Sequence, residues 1–122
     1  MRVAVIDHAF LEPNGHALLL EHFLFSKFKE RGVEDICCSH ELRDFERRYG
    51  SLRSFDVLLL HPEVEDRGKV IKEIPQLYPD LRVILYTRGL IETGSYTLIR
   101  GLRIYDCDNG KEIVDYAFEG KS

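Results

Sequence analysis

Apolar residues along this chain recur in two alternating rhythms. Arg2-Val-Ala-Val-Ile-Asp7 is a short continuous apolar run closed by polar residues, which predicts a parallel strand buried on both faces. Residues 8–14 read as a loop, punctuated by Pro13-Asn14-Gly15. Over residues 16–31 the period changes. Ala17, Leu20, Leu24 and Phe28 recur at helical spacing with Leu19 and Phe23 beside them, Lys27, Lys29 and Arg31 crowd the last turns, and Gly32 stops the helix.

The alternation continues to the C-terminal end. Residues 35–39 form a plausible second strand, and residues 41–49 a short helix with Leu42, Phe45 and Tyr49 on one stripe. Asp56-Val-Leu-Leu-Leu-His61 is the clearest strand, because four successive apolar residues require cover on both faces; Pro62 closes it. Residues 65–78 predict a third helix with Val70, Ile74 and Leu77 inward, broken at Tyr78-Pro79-Asp80. Residues 81–87 are a fourth strand, residues 92–100 carry no decisive pattern, and residues 102–105 are a weaker fifth strand. Asp108-Asn109-Gly110 offers an N-cap for a last amphipathic helix over 111–119, built on Ile113, Val114, Ala117 and Phe118.

Strands and helices in strict alternation imply a parallel sheet covered on both faces, and right-handed crossovers leave few topologies. The expectation is a single domain over residues 1–122. It is a three-layer α/β/α flavodoxin-like fold with a five-stranded parallel sheet in the order 2-1-3-4-5. A chain of 122 residues is long enough to bury a core without metal or disulfide staples.

Charge narrows the function classes. Seventeen basic against 21 acidic residues give a net charge of -4, and the longest basic cluster is Arg47-Arg48, so a nucleic-acid partner is not expected. No apolar run approaches the length of a membrane span, and the first residues do not form a signal-peptide core, so a cytoplasmic protein without a membrane partner is expected. Three cysteines, two of them adjacent (Cys37, Cys38), read as reduced thiols.

In a sheet of this order, sites gather at the carboxyl ends of the strands. That rim holds Asp7-His8, His61-Pro62, Thr87-Arg88 and residues 106–108. There the chain resembles the receiver domain of two-component response regulators, over nearly its whole length. The resemblance rests on Val5-Ile6-Asp7, on Val57-Leu58-Leu59-Leu60-His61-Pro62 and on Val83-Ile84-Leu85-Tyr86-Thr87. It implies an acidic pair at Asp7 and His8, a phospho-acceptor position at His61, the conserved hydroxyl at Thr87 and a lysine position at Cys107 or Asp108. Here His8 replaces the second acid, His61 the acceptor aspartate, and Cys107 or Asp108 the lysine.

Phosphoryl transfer to a carboxylate needs that carboxylate, a divalent cation on acidic oxygens, and positive charge beside the product. Imidazole is a poor ligand for Mg²⁺. The resemblance therefore implies a degenerate pseudo-receiver that acts by binding another protein, with no cofactor. The segment Ala9–Gly15 is an insertion relative to the receiver pattern.

Two other readings stay open. Asp7, His8 and His61, with Cys107 nearby, are competent ligands for a borderline divalent metal, which would make the rim a small ligand-binding or enzymatic site. Glu12-Pro-Asn-Gly-His16 between a strand and a long helix is similar to the start of the N-terminal half of two-domain glycosyltransferases. That likeness implies a half-domain that needs a partner chain. Surface candidates for a protein partner, or for a second copy in a homodimer, are Leu18 and Phe25, which have no evident core role on the first helix, together with Tyr105 and Tyr116.

Overall fold

The structure is a computed structural model, and it describes residues 1–11, 20–61, 67–87, 104–106 and 109–120. Four strands form a parallel sheet: β1 (Arg2–Ile6), β2 (Asp35–Ser39), β3 (Val57–Leu60) and β4 (Arg82–Thr87), in the order 2-1-3-4. A three-residue segment, Ile104–Asp106, runs parallel beside β4 with Tyr105 opposite Tyr86. The register places Ile6 beside both Ser39 and Leu60, and Leu60 beside Leu85, so the carboxyl ends of all four strands reach one rim.

The two-residue period of each strand divides the core. Val3, Val5, Val57, Leu59, Ile84 and Tyr86 point to one face, and Ala4, Ile6, Leu58, Leu60 and Leu85 to the other. The first face is covered by helix α1, made of a π-helical segment (Glu21–Phe25) and an α-helical one (Ser26–Glu30), and by the last helix, α4 (Gly110–Phe118). The second is covered by α2 (Leu42–Tyr49) and α3 (Arg67–Leu77). Helices on both faces explain the unbroken apolar runs of β1 and β3, which a sheet with one wet face would not tolerate.

Helix α1 departs from the expected regular helix. The Ser26 amide donates to the Glu21 carbonyl, five residues back. That wider turn brings Leu20 and Phe25 onto one side, and Leu20, Leu24, Phe25 and Phe28 are all buried. The expected stop is present: at Gly32 (φ 88°) the Val33 amide bonds the Phe28 carbonyl at 3.1 Å and the Gly32 amide bonds that of Lys29 at 3.0 Å. This is a Schellman arrangement, sealed by the buried pair Val33 and Phe28.

Two local expectations are corrected, at residues 8–10 and at Leu77. Residues 8–10 form a 3₁₀ turn rather than loop, because the Asp7 carboxylate accepts from the Ala9 amide and caps it. A further 3₁₀ turn, Leu52–Ser54, begins where the Ser51 hydroxyl accepts from the Arg53 amide at 3.1 Å. Leu77 is 61% exposed, not inward. The core side of α3 runs instead through buried Ile74 and half-buried Tyr78, one turn apart and joined by a 2.9 Å amide–carbonyl bond.

Candidate functional site

The rim is built by short bonds between strand ends. The Asp7 amide donates to the Ser39 carbonyl at 3.0 Å, and the His61 amide donates to the Ile6 carbonyl at 3.1 Å. Parallel pairing thus continues one residue past each strand, so Asp7 and His61 stand level at the sheet end. Both are fully buried, as is Thr87 at the end of β4.

The Asp7 carboxylate is occupied on both oxygens. Its Oδ1 accepts from the Ala9 amide at 2.8 Å, and its Oδ2 accepts from the Tyr86 hydroxyl at 2.5 Å. Tyr86 reaches Asp7 from β4, and its ring meets the edge of His61 with centroids 5.8 Å apart at 74°. Tyr86 therefore touches both the acid of β1 and the imidazole of β3, the strand between them. A buried carboxylate requires hydrogen-bond donors, and here a phenol and a turn amide supply them.

The structure does not assemble Asp7, His8 and His61 as a metal site. His8 lies at the surface as the first residue of the 3₁₀ turn, while Asp7 turns inward to Ala9 and Tyr86. Among the described residues no three His, Cys, Asp or Glu side chains gather closely enough to hold a metal ion. Cys107 and Asp108, the candidates for the lysine position, lie outside the described residues, as does the segment 12–16 that carried the glycosyltransferase likeness.

The surface candidates separate in the same way. Leu18 lies outside the described residues. Phe25, expected to face a partner, is 7% exposed and stacks on Phe10 at 6.4 Å; the π turn rotates Phe23 outward instead, at 38% exposure. Tyr105 is buried against Tyr116, with ring centroids 5.6 Å apart, and of that pair only Tyr116 reaches solvent. Arg82 lies over the Tyr116 ring and donates to the Tyr116 and Glu119 carbonyls, placing a cation on the C-terminal end of α4.

A second polar cluster stands at the end of β2. The buried Ser39 hydroxyl donates to Asp44 Oδ2 at 2.6 Å, Arg47 donates to Asp44 Oδ1, and Arg48 and His40 approach Asp44 Oδ2 at 3.6 Å each. The Ser39 hydrogen bond first, and then Arg47, hold the Asp44 carboxyl below its ordinary pKa. On β2 itself, burial pushes the Cys38 thiol up to about 12, with the charges of Cys37 and Asp7 adding to the effect. Both Cys37 and Cys38 are free thiols, and Cys38 is no nucleophile at neutral pH.

Two of these groups escape the sequence reading. Tyr86 reads as one more strand residue, yet a hydroxyl inside the buried run Val-Ile-Leu-Tyr-Thr requires a partner, and that requirement is the usable signal. The Ser39–Asp44 bond spans five residues between a strand and a helix, a relation that no periodicity reveals.

No protein-family model matches the chain, and no curated protein matches it. Among solved structures the chain is similar to a protein named for pilus assembly, cpaE, from Burkholderia thailandensis E264. The TM-score is 0.61 at 14% identity, with 98% of each chain covered. At that identity the likeness concerns the fold. Among the described residues no helix is long and apolar enough to cross a membrane.

Proposed function

We propose that the chain is a non-phosphorylatable receiver-like domain, a flavodoxin-like fold in which Ile104–Asp106 completes the order 2-1-3-4-5, and that it works in the cytoplasm as a regulatory protein-binding module. The observation that carries the reading is the closed rim. The one remaining acid, Asp7, has its carboxylate oxygens turned to Tyr86 and Ala9, and a buried imidazole stands at the acceptor position of β3. A cation at Asp7 would have to displace a buried phenol, and a histidine offers no carboxylate to form an acyl phosphate. The structural likeness to a protein named for pilus assembly supports a role for such a domain within a larger assembly.

The test is incubation of the protein with acetyl phosphate and Mg²⁺, followed by intact-mass measurement and Mg²⁺ titration calorimetry. The expected result is no phosphate adduct and no Mg²⁺ heat, in the wild type and in His61→Asp alike. An adduct on His61→Asp would mean that Asp7 still holds a cation, and the pseudo-receiver reading would fail. An adduct on the wild type at His61 would replace it with a phosphohistidine role.

A further inference from the structure

A groove of about 250 Å³ lies at the other end of the sheet from the rim, beneath the amino ends of β3 and β4, with Leu52, Phe55, Leu77 and Tyr78 in its lining. The Ser51 and Tyr78 hydroxyls, 3.1 Å apart, tie the 3₁₀ turn on one side to the end of α3 on the other, so the shape exists before anything binds. Leu77, at 61%, is the most exposed large apolar side chain among the described residues, and it stands in this groove.

Two charges complete the lining among the described residues: Arg53 on the 3₁₀ turn and Asp80 in the turn that leads into β4. Both are exposed, and neither makes an ion pair among the described residues. The nearest other charges stand outside the lining. Arg82 is held by the Tyr116 and Glu119 carbonyls, and Glu73 lies one turn back from Leu77 on α3.

This pair of charges selects the occupant. A wholly acidic or wholly basic partner would satisfy one of them and be repelled by the other. The surface that opposes both carries one base and one acid at the same separation, and the groove is itself such a surface. A twofold axis through the midpoint of Arg53 and Asp80 sets each against the other, whatever the distance between them.

We infer that a second copy of this chain docks here, groove to groove, with Arg53 of each copy against Asp80 of the other and both Leu77 side chains covered between them. The contact is isologous, because each surface meets its own copy. It is also small, so the dimer is weak and concentration-dependent. The rim, at the opposite end of the strands, stays uncovered.

Sedimentation velocity from about 1 μM to about 1 mM tests this on the full chain, with circular dichroism as the folding control. The wild type is expected to pass from monomer to dimer. Leu77→Ser, which removes apolar cover, is expected to weaken association about tenfold or more. Arg53→Asp and Asp80→Arg each set like charges together across the axis, and each alone is expected to weaken association by a similar factor. Mixed in equal amounts, the two charge variants oppose acid to base at both contacts, and association returns. A variant that had merely lost its fold would gain nothing from the mixture. All three positions are exposed, and Asp80 is the third residue of a turn closed by the Leu81 amide on the Tyr78 carbonyl at 3.0 Å, a place that accepts arginine. A monomer at every concentration would leave the groove to another occupant and overturn the inference. So would a dimer indifferent to Leu77→Ser or to either charge reversal, or a mixture that associates no better than its components.

Discussion

Phe25 and Phe23 are separated by two positions and have opposite roles. Phe25 fills the core beneath α1 and stacks on Phe10, while Phe23 meets solvent and the His22 ring. Truncating Phe25 removes a buried ring and leaves a cavity, so Phe25→Ala is expected to cost about 3 kcal/mol or more, and Phe23→Ala less than about 1 kcal/mol. Urea denaturation of the two variants checks this; equal losses would mean that the helix does not widen at Glu21–Phe25.

Asp44 supplies a pH signature at the same scale. Its folded pKa lies below its ordinary value, chiefly through the Ser39 hydroxyl and then Arg47. A depressed carboxyl stabilises the fold fully at neutral pH. Its contribution fades as pH falls through about 4 and is gone below the folded pKa. The stability gap between the wild type and Asp44→Asn is therefore expected to be open at pH 7 and to close on acidification, read from denaturant midpoints across pH. A gap that stays constant to the lowest pH would mean that Asp44 contributes through shape and not through charge.

At the scale of elements, the meeting of α1 and α4 decides a glycine. A Cβ built on Gly110 would collide with the Phe23 carbonyl oxygen, backbone of the π segment that cannot swing aside as a side chain would. Gly110→Ala is therefore expected to destabilise by about 1–3 kcal/mol, although alanine is the better helix former by about 1 kcal/mol. Thermal unfolding followed by circular dichroism measures the sign. A stabilised variant would show that the two helices stand further apart. The π turn and Gly110 are thus one feature: the widened helix presents backbone, and only a residue without a side chain lets α4 approach it.

Across the whole molecule, β3 joins two cores. Leu58 faces α2 and α3, and Leu59 faces α1 and α4; both are fully buried. Leu58→Ala and Leu59→Ala are each expected to cost about 2–5 kcal/mol and to leave one cooperative transition, because the sheet couples its two faces. Tyrosine fluorescence and far-ultraviolet circular dichroism report the transition in this chain, which has no Trp. Two separated transitions would show that one face unfolds without the other.

Much of this architecture is legible along the chain. The buried strands announce themselves as unbroken apolar runs, the helices as stripes, and Gly32 as a stop, because these signals depend on neighbours within a few residues. They determine the alternation of elements, the parallel sheet and the gathering of Asp7, His61 and Thr87 at one rim. What lay beyond the sequence depends on groups far apart along it. The phenol of Tyr86 reaches Asp7 across 79 positions. That single contact satisfies the acid of a rim whose residues also read as competent metal ligands. The π turn that buries Phe25 is likewise set by packing against the sheet and α4, since a period read at 3.6 residues per turn cannot register one extra residue in a turn. Local patterning determined which residues form the layers; only the tertiary structure decided which polar atoms meet, because hydrogen-bond partners are chosen by distance in space and not by separation in sequence.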